Sequence, residues 1–146
     1  MKKIVLMALL ITVVNSAFSQ IQKKIIGNWQ AESGTITSMY HDTYQFFNGG
    51  GFTFKPDAYN GLNRIISIRG TYKIKGDTLI LEPKYTEEIV GGFPIRSEST
   101  LLSDTWEIVQ GKTKIIPCKT TKQMAVIKFN SDSKFITLDS RKFYKI

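Results

Sequence analysis

The chain has 146 residues, a formal net charge of +8, one histidine and one cysteine. That length sets a single domain with room for a real core, and a lone cysteine excludes an internal disulfide. One His and one Cys also exclude a His-rich zinc site, so neither a metal nor another cofactor is expected.

The first segment reads as a leader. Lys2 and Lys3 precede an apolar run from Ile4 to Val14, and "NSAFSQ" places Ala17 and Ser19 at small-residue cleavage positions. Charge, length and exit match a secretory signal peptide over 1–19. The run falls short of the roughly 20 apolar residues that span a bilayer. The folded domain is therefore expected over 20–146, exported to the periplasm or secreted. Nucleic acid is an improbable partner for such a protein, and contact with an anionic envelope surface is conceivable. Charge is unevenly spread: residues 76–109 hold seven acids and two bases, and residues 110–146 hold nine bases and two acids. Solvated lysines on outward strand faces account for most of the excess.

After the leader, alternation at period two dominates. "QIQKKIIG" fits one helical turn that ends at Gly27, and Trp29 opens the first strand. "TYQFF" sets Tyr44 and Phe46 on one face, and "GFTFK" sets Phe52 and Phe54 on one face. A three-residue loop, Asn48-Gly49-Gly50, would pair Phe46 with Phe52 and Tyr44 with Phe54. Residues 55–63 read as a loop. "IISIRGTYKIK" sets Ile66, Ile68, Tyr72 and Ile74 in step. Gly76-Asp77 suits a type II′ hairpin with glycine first, which pairs Ile74 with Leu79 and Tyr72 with Leu81. Lys73 and Lys75 then share the opposite face, so turn chemistry and hydrophobic pattern agree on register.

Residues 85–98 carry Pro, Gly and charge without sustained alternation and read as a second long loop, with a short edge strand around Ile89. "TWEIV" reads as a strand and "IIPCKTTK" (115–122) as an irregular link containing Cys118, a half-buried loop thiol. "AVIKF" sets Ala125, Ile127 and Phe129 together, and "KFITLDS" sets Ile136 and Leu138 opposite Phe135. Eight or nine antiparallel strands with short turns must hide their edges, which a barrel does fully and a sandwich in part.

Trp29 is the expected plug at one end of a tapering barrel. A cation near the chain end would stack on its face, with Arg141 the best-placed candidate and Lys142 the alternate. The helical turn, Gly27-x-Trp29, the strand run and the terminal basic residue together resemble the lipocalin pattern. "IIGNWQ", "YQFFNGGGFTF" and "RGTYKIKGDTLILE", in that order, are similar to the small secreted lipocalin-like domains common in Bacteroidota. The resemblance implies an up-and-down β-barrel of about eight strands, with Gly27, Trp29 and Arg141 in structural closure. It does not extend to a second or third lipocalin motif, so no retinoid or haem ligand carries over.

No catalytic constellation is visible. His41 and Asp42 are two triad residue types, but neighbours in a strand point to opposite faces. Glu87 and Glu88 read as an exposed loop pair, and no glycine-rich loop leads into a helix. The expectation is a monomeric binding protein and not an enzyme. Its interior would carry a small hydrophobic ligand against Tyr44, Phe46, Phe52, Phe54, Ile66, Ile68, Tyr72 and Ile74. The alternative is a filled scaffold that binds a protein or envelope glycan through loops 55–63 and 85–98 or a basic outer face, including use of 85–98 as an inserted blocking loop.

Overall fold

The computed structural model describes residues 23–32, 41–58, 60–96, 106–119 and 121–146. The expected leader over 1–19 lies outside them. Nine strands follow a helical turn at 23–25: β1 (Gly27–Ala31), β2 (Thr43–Phe46), β3 (Gly51–Lys55), β4 (Ile65–Lys75), β5 (Thr78–Arg96), β6 (Trp106–Pro117), β7 (Gln123–Phe129), β8 (Phe135–Leu138) and β9 (Arg141–Lys145).

Eight of these close an antiparallel up-and-down barrel. Around it run β1, β2, β3, β4, β5, β7, β8 and β9, and β9 pairs with β1 to shut the ring. Closure abolishes sheet edges, which explains why so many short strands persist without a disulfide. The ninth strand, β6, stands outside the ring and, among the described residues, pairs with β5 alone.

Both sequence-derived hairpins hold their register. Ile74 faces Leu79 and Tyr72 faces Leu81 across Gly76-Asp77, with φ of +61° at Gly76. Phe46 faces Phe52 and Tyr44 faces Phe54, and the Phe47 N–H donates to the Gly51 carbonyl to close the three-residue loop. The loop expected over 55–63 lies between β3 and β4, its first residue Lys55 ending β3 and residues 56–58 and 60–64 outside any strand.

The expected loop over 85–98 is not one. Through Arg96 it is the far half of the 19-residue β5, paired along its length with β6. Residues 115–117, assigned to an irregular link, likewise end β6. The reason is a change of phase. Gly70 faces Pro83 but Arg69 faces Tyr85, so Lys84 is an extra residue in β5 and the inward set passes from Leu79, Leu81 and Pro83 to Thr86. A bulge of this kind bends the strand and hides its alternation from a simple period-two count. Gly70 permits the bend, because a Cβ there would collide with the Glu82 carbonyl oxygen and lie 2.8 Å from the Pro83 Cα.

Candidate functional site

The base of the barrel is shut. Trp29 is fully buried, and its Nε1–H donates to the Ile25 carbonyl at 2.6 Å, which folds the helical turn under the ring. The cation over its ring is Lys145, whose Nζ lies 5.3 Å from the ring centroid. This corrects the assignment of Arg141, or its alternate Lys142, to that place. The β1–β9 ladder aligns Lys145 directly with Trp29. Gly27 makes room: its φ is +126°, and a Cβ there would lie 3.1 Å from Lys145 Cε. Arg141 sits at the opposite end, 5.5 Å from the Phe143 ring centroid, and Lys142 lies over Phe135.

Side chains fill the interior above the plug. Phe46, Phe52, Tyr72 and Ile74 are buried in one cluster with Leu79, Leu81, Ile127, Ile136, Leu138 and Phe143, and Tyr44 and Phe54 pack against it. Phe46 meets Tyr72 edge-on at 5.0 Å, and the Tyr72 hydroxyl donates to the Phe47 carbonyl at 3.2 Å. Six of the eight residues expected to line an interior therefore meet in one packed core. Ile68 is half-buried, and across β4–β5 it faces Thr86. Ile66 does not join them. Ile65 pairs with Glu88 and Ser67 with Glu87, so Ile66 is the extra residue of a bulge and is 37% exposed.

The mouth retains a shallow cup of about 260 Å³, with Tyr44, Phe54, Leu81, Leu138 and Phe143 at its floor and Asp42, Asp139 and Arg141 at its rim. Tyr44 meets Phe54 at 4.6 Å and Phe143 at 5.3 Å. Arg141 pairs with Asp42 and, at 3.4 Å, with Glu32. Asp42 also accepts the Asp57 N–H at 2.8 Å, which ties the 56–64 link to the rim. Burial, reinforced by the Asp42 charge, pushes the Tyr44 hydroxyl up to about 12. The rim thus carries more acid than base, and an anionic head group would meet repulsion there. His41 lies just outside, beside the 56–64 link in a separate surface hollow.

The third feature is the one the sequence reading missed. Strands β5 and β6 pair in one register from Tyr85–Pro117 to Arg96–Trp106; up to Glu88 β5 also pairs with β4 in the barrel wall, and beyond it the two strands continue as a two-stranded ribbon. Gly91, Gly92 and Gln110 have φ near +60° to +70°, which coils the ribbon at its middle. Arg64 ties its base to the barrel by donating to the Ile89 and Gly91 carbonyls, at 3.2 and 2.6 Å. The β5–β6 pair is rich in half-exposed apolar side chains: Ile115 is 64% exposed, Tyr85 52%, Trp106 49% and Phe93 48%. The detectable signal was "TWEIV" and "TKII", two alternating runs on either side of Gly111.

Cys118 is half-buried against the Thr86 hydroxyl, at 2.9 Å. Among the described residues, no three His, Cys, Asp or Glu side chains are grouped to hold a metal ion, and no helix is long and apolar enough to cross a membrane. Comparison with protein-family models, curated proteins and solved structures finds no match.

Proposed function

We propose that this is an exported binding protein whose barrel is a packed scaffold and whose working surface is the β5–β6 ribbon. One observation carries the reading: the interior is occupied by its own side chains, whereas Phe93 and Trp106 lie half-exposed on the ribbon and Tyr85 and Ile115 half-exposed where β5 and β6 leave the barrel wall. Tyr85 and Ile115 border one hollow, and exposed apolar side chains that adjoin in this way mark a contact surface. A two-stranded ribbon gains little stability by itself, so its 12-residue partner strand is better explained by recognition than by folding. Binding is preferred to catalysis because Asp42, the acid beside the single histidine, is already engaged by Arg141 and the Asp57 N–H.

The test is site-specific photocrosslinking in cells that express the protein. A photoreactive residue at Trp106 or Phe93 is expected to give one discrete adduct, and the same residue at Lys128 on the outer barrel face none. Equal labelling at all three positions would remove the ribbon from the function.

The mouth favours a second reading, in keeping with the lipocalin resemblance. A cup floored by Tyr44, Phe54 and Phe143 can seat the end of a small apolar molecule. With Asp42 and Asp139 at the rim, that molecule would be uncharged or cationic at its head, not a fatty acid carboxylate.

A further inference from the structure

Among the described residues, β6 is the strand with a single partner; the ring closes its own strands, and only the part of β5 beyond Glu88 shares this openness. Its register shows which groups face outward. The Cys118 N–H donates to the Lys84 carbonyl at 2.8 Å, and backbone groups alternate sides along an antiparallel strand. Ile116, Lys114 and Lys112 therefore address β5. Ile115, Thr113 and Gly111 point their N–H and C=O groups to the open side. The opposite strand agrees: Ile89, which faces Thr113, donates its N–H away from β6 to the Arg64 carbonyl at 2.8 Å. Pro117 occupies an outward position too, where its missing N–H costs no bond to β5.

The side chains also divide between the two faces. Ile115 stands beside Tyr85 on the outer face, over a hollow of about 230 Å³ shared with Arg69 and Glu87. Lys112 and Lys114 project from the other face, both exposed and in no ion pair among the described residues. An incoming strand would meet Thr113 and Ile115 on one face and the two lysines on the other.

We infer that β6 receives an additional antiparallel strand from another protein, an extended segment alternating acidic and apolar residues. Its main chain bonds to the outward groups of Gly111, Thr113 and Ile115. Its apolar side chains cover Ile115, and its acids face Lys112 and Lys114 as cross-strand pairs. A second copy of β6 is a poorer occupant, because pairing this stretch with itself sets lysine against lysine. The inference rests on the ribbon being the docking element and specifies how it docks.

Calorimetric titration of the full chain with short capped peptides tests it. A peptide alternating Glu and Val is expected to bind, and one alternating Lys and Val is not. The residues opposite Thr113 and Ile115 aim their N–H groups at β6, so N-methylation of every Val amide is expected to weaken binding about tenfold or more, the scale of one to two lost hydrogen bonds. N-methylation of the Glu amides leaves it nearly unchanged. Thr113→Pro, which removes an outward N–H and no bond to β5, is expected to match the Val methylation while circular dichroism stays native. Lys112→Glu with Lys114→Glu is expected to reverse the peptide preference.

No binding, or equal weakening by both methylations, overturns strand addition, and the crosslinking at Trp106 then decides separately whether the ribbon docks at all. A concentration-dependent dimer that Thr113→Pro dissolves would assign the edge to a second copy. Binding to anionic vesicles that exceeds peptide binding would assign the ribbon to a lipid surface. Either result overturns the inference.

Discussion

Replacing Trp29 by alanine removes the floor of the barrel. The side chain is fully buried, so truncation costs both its transfer energy and the cavity left behind, about 3–5 kcal/mol for a large aromatic. Two further losses add to this. The Ile25 carbonyl is left without its donor, and Lys145 loses the ring beneath it. Each is worth on the order of 1 kcal/mol. At roughly 3–5 °C per kcal/mol for a chain of this size, Tm should fall by about 15–35 °C. Urea unfolding followed by far-ultraviolet circular dichroism is the suitable assay, because Trp29 is itself a fluorophore. Trp29→Phe should fall between wild type and Trp29→Ala, since the ring is largely kept and the hydrogen bond is lost. A loss below about 1 kcal/mol for the alanine variant would refute the closed base, because core cavities of that size are not so cheap.

Three other outcomes are expected. Gly70→Ala forces a methyl group into the Glu82–Pro83 backbone and should destabilise by about 1–3 kcal/mol or more in the same urea assay, and an unchanged midpoint would mean the β5 bulge is misplaced. Tyr44 prefers to stay protonated in the fold, up to about 12 against an ordinary value of 10.0, so its contribution is intact below pH 10 and is lost as pH rises towards 12. Tyr44→Phe should therefore raise the midpoint of alkaline unfolding, and a midpoint unmoved by the substitution would contradict the buried hydroxyl. Arg141→Ala removes the ion pair with Asp42, whose carboxylate keeps the Asp57 N–H, and should cost about 1 kcal/mol in low salt and less in high salt, as screened ion pairs do. A loss that salt does not change would show that Arg141 acts through its packing on Phe143.

The barrel was largely legible in the sequence because two local rules agreed there. Glycine-first turn chemistry at Gly76-Asp77 and the apolar set Tyr72, Ile74, Leu79 and Leu81 select one register, and the structure holds it. The aromatic quartet around Asn48 to Gly50 followed the same logic. Errors arose where phase shifts. The extra residues at Lys84 and Ile66 reverse which neighbours point inward, so Ile66 leaves the core and the far half of β5 looks irregular. Gly91, Gly92 and Pro94 strengthened the appearance of a loop, although two long strands can pair through such residues when one of them is an edge. The partner of Trp29 was missed for a different reason. Which basic residue faces it depends on how β9 meets β1, a pairing between chain ends that no local pattern encodes. The mouth was visible only in parts, since Asp42, Tyr44 and Arg141 come together through that same closure.

The central claim is that the barrel is filled and its work is done outside the ring. Native mass spectrometry of the full chain, purified from cells that express it and measured before and after solvent extraction, tests this most directly. The packed interior predicts the same bare mass both times. A reproducible additional mass of a few hundred daltons, removed by extraction, would contradict it and make the barrel a carrier of a small molecule.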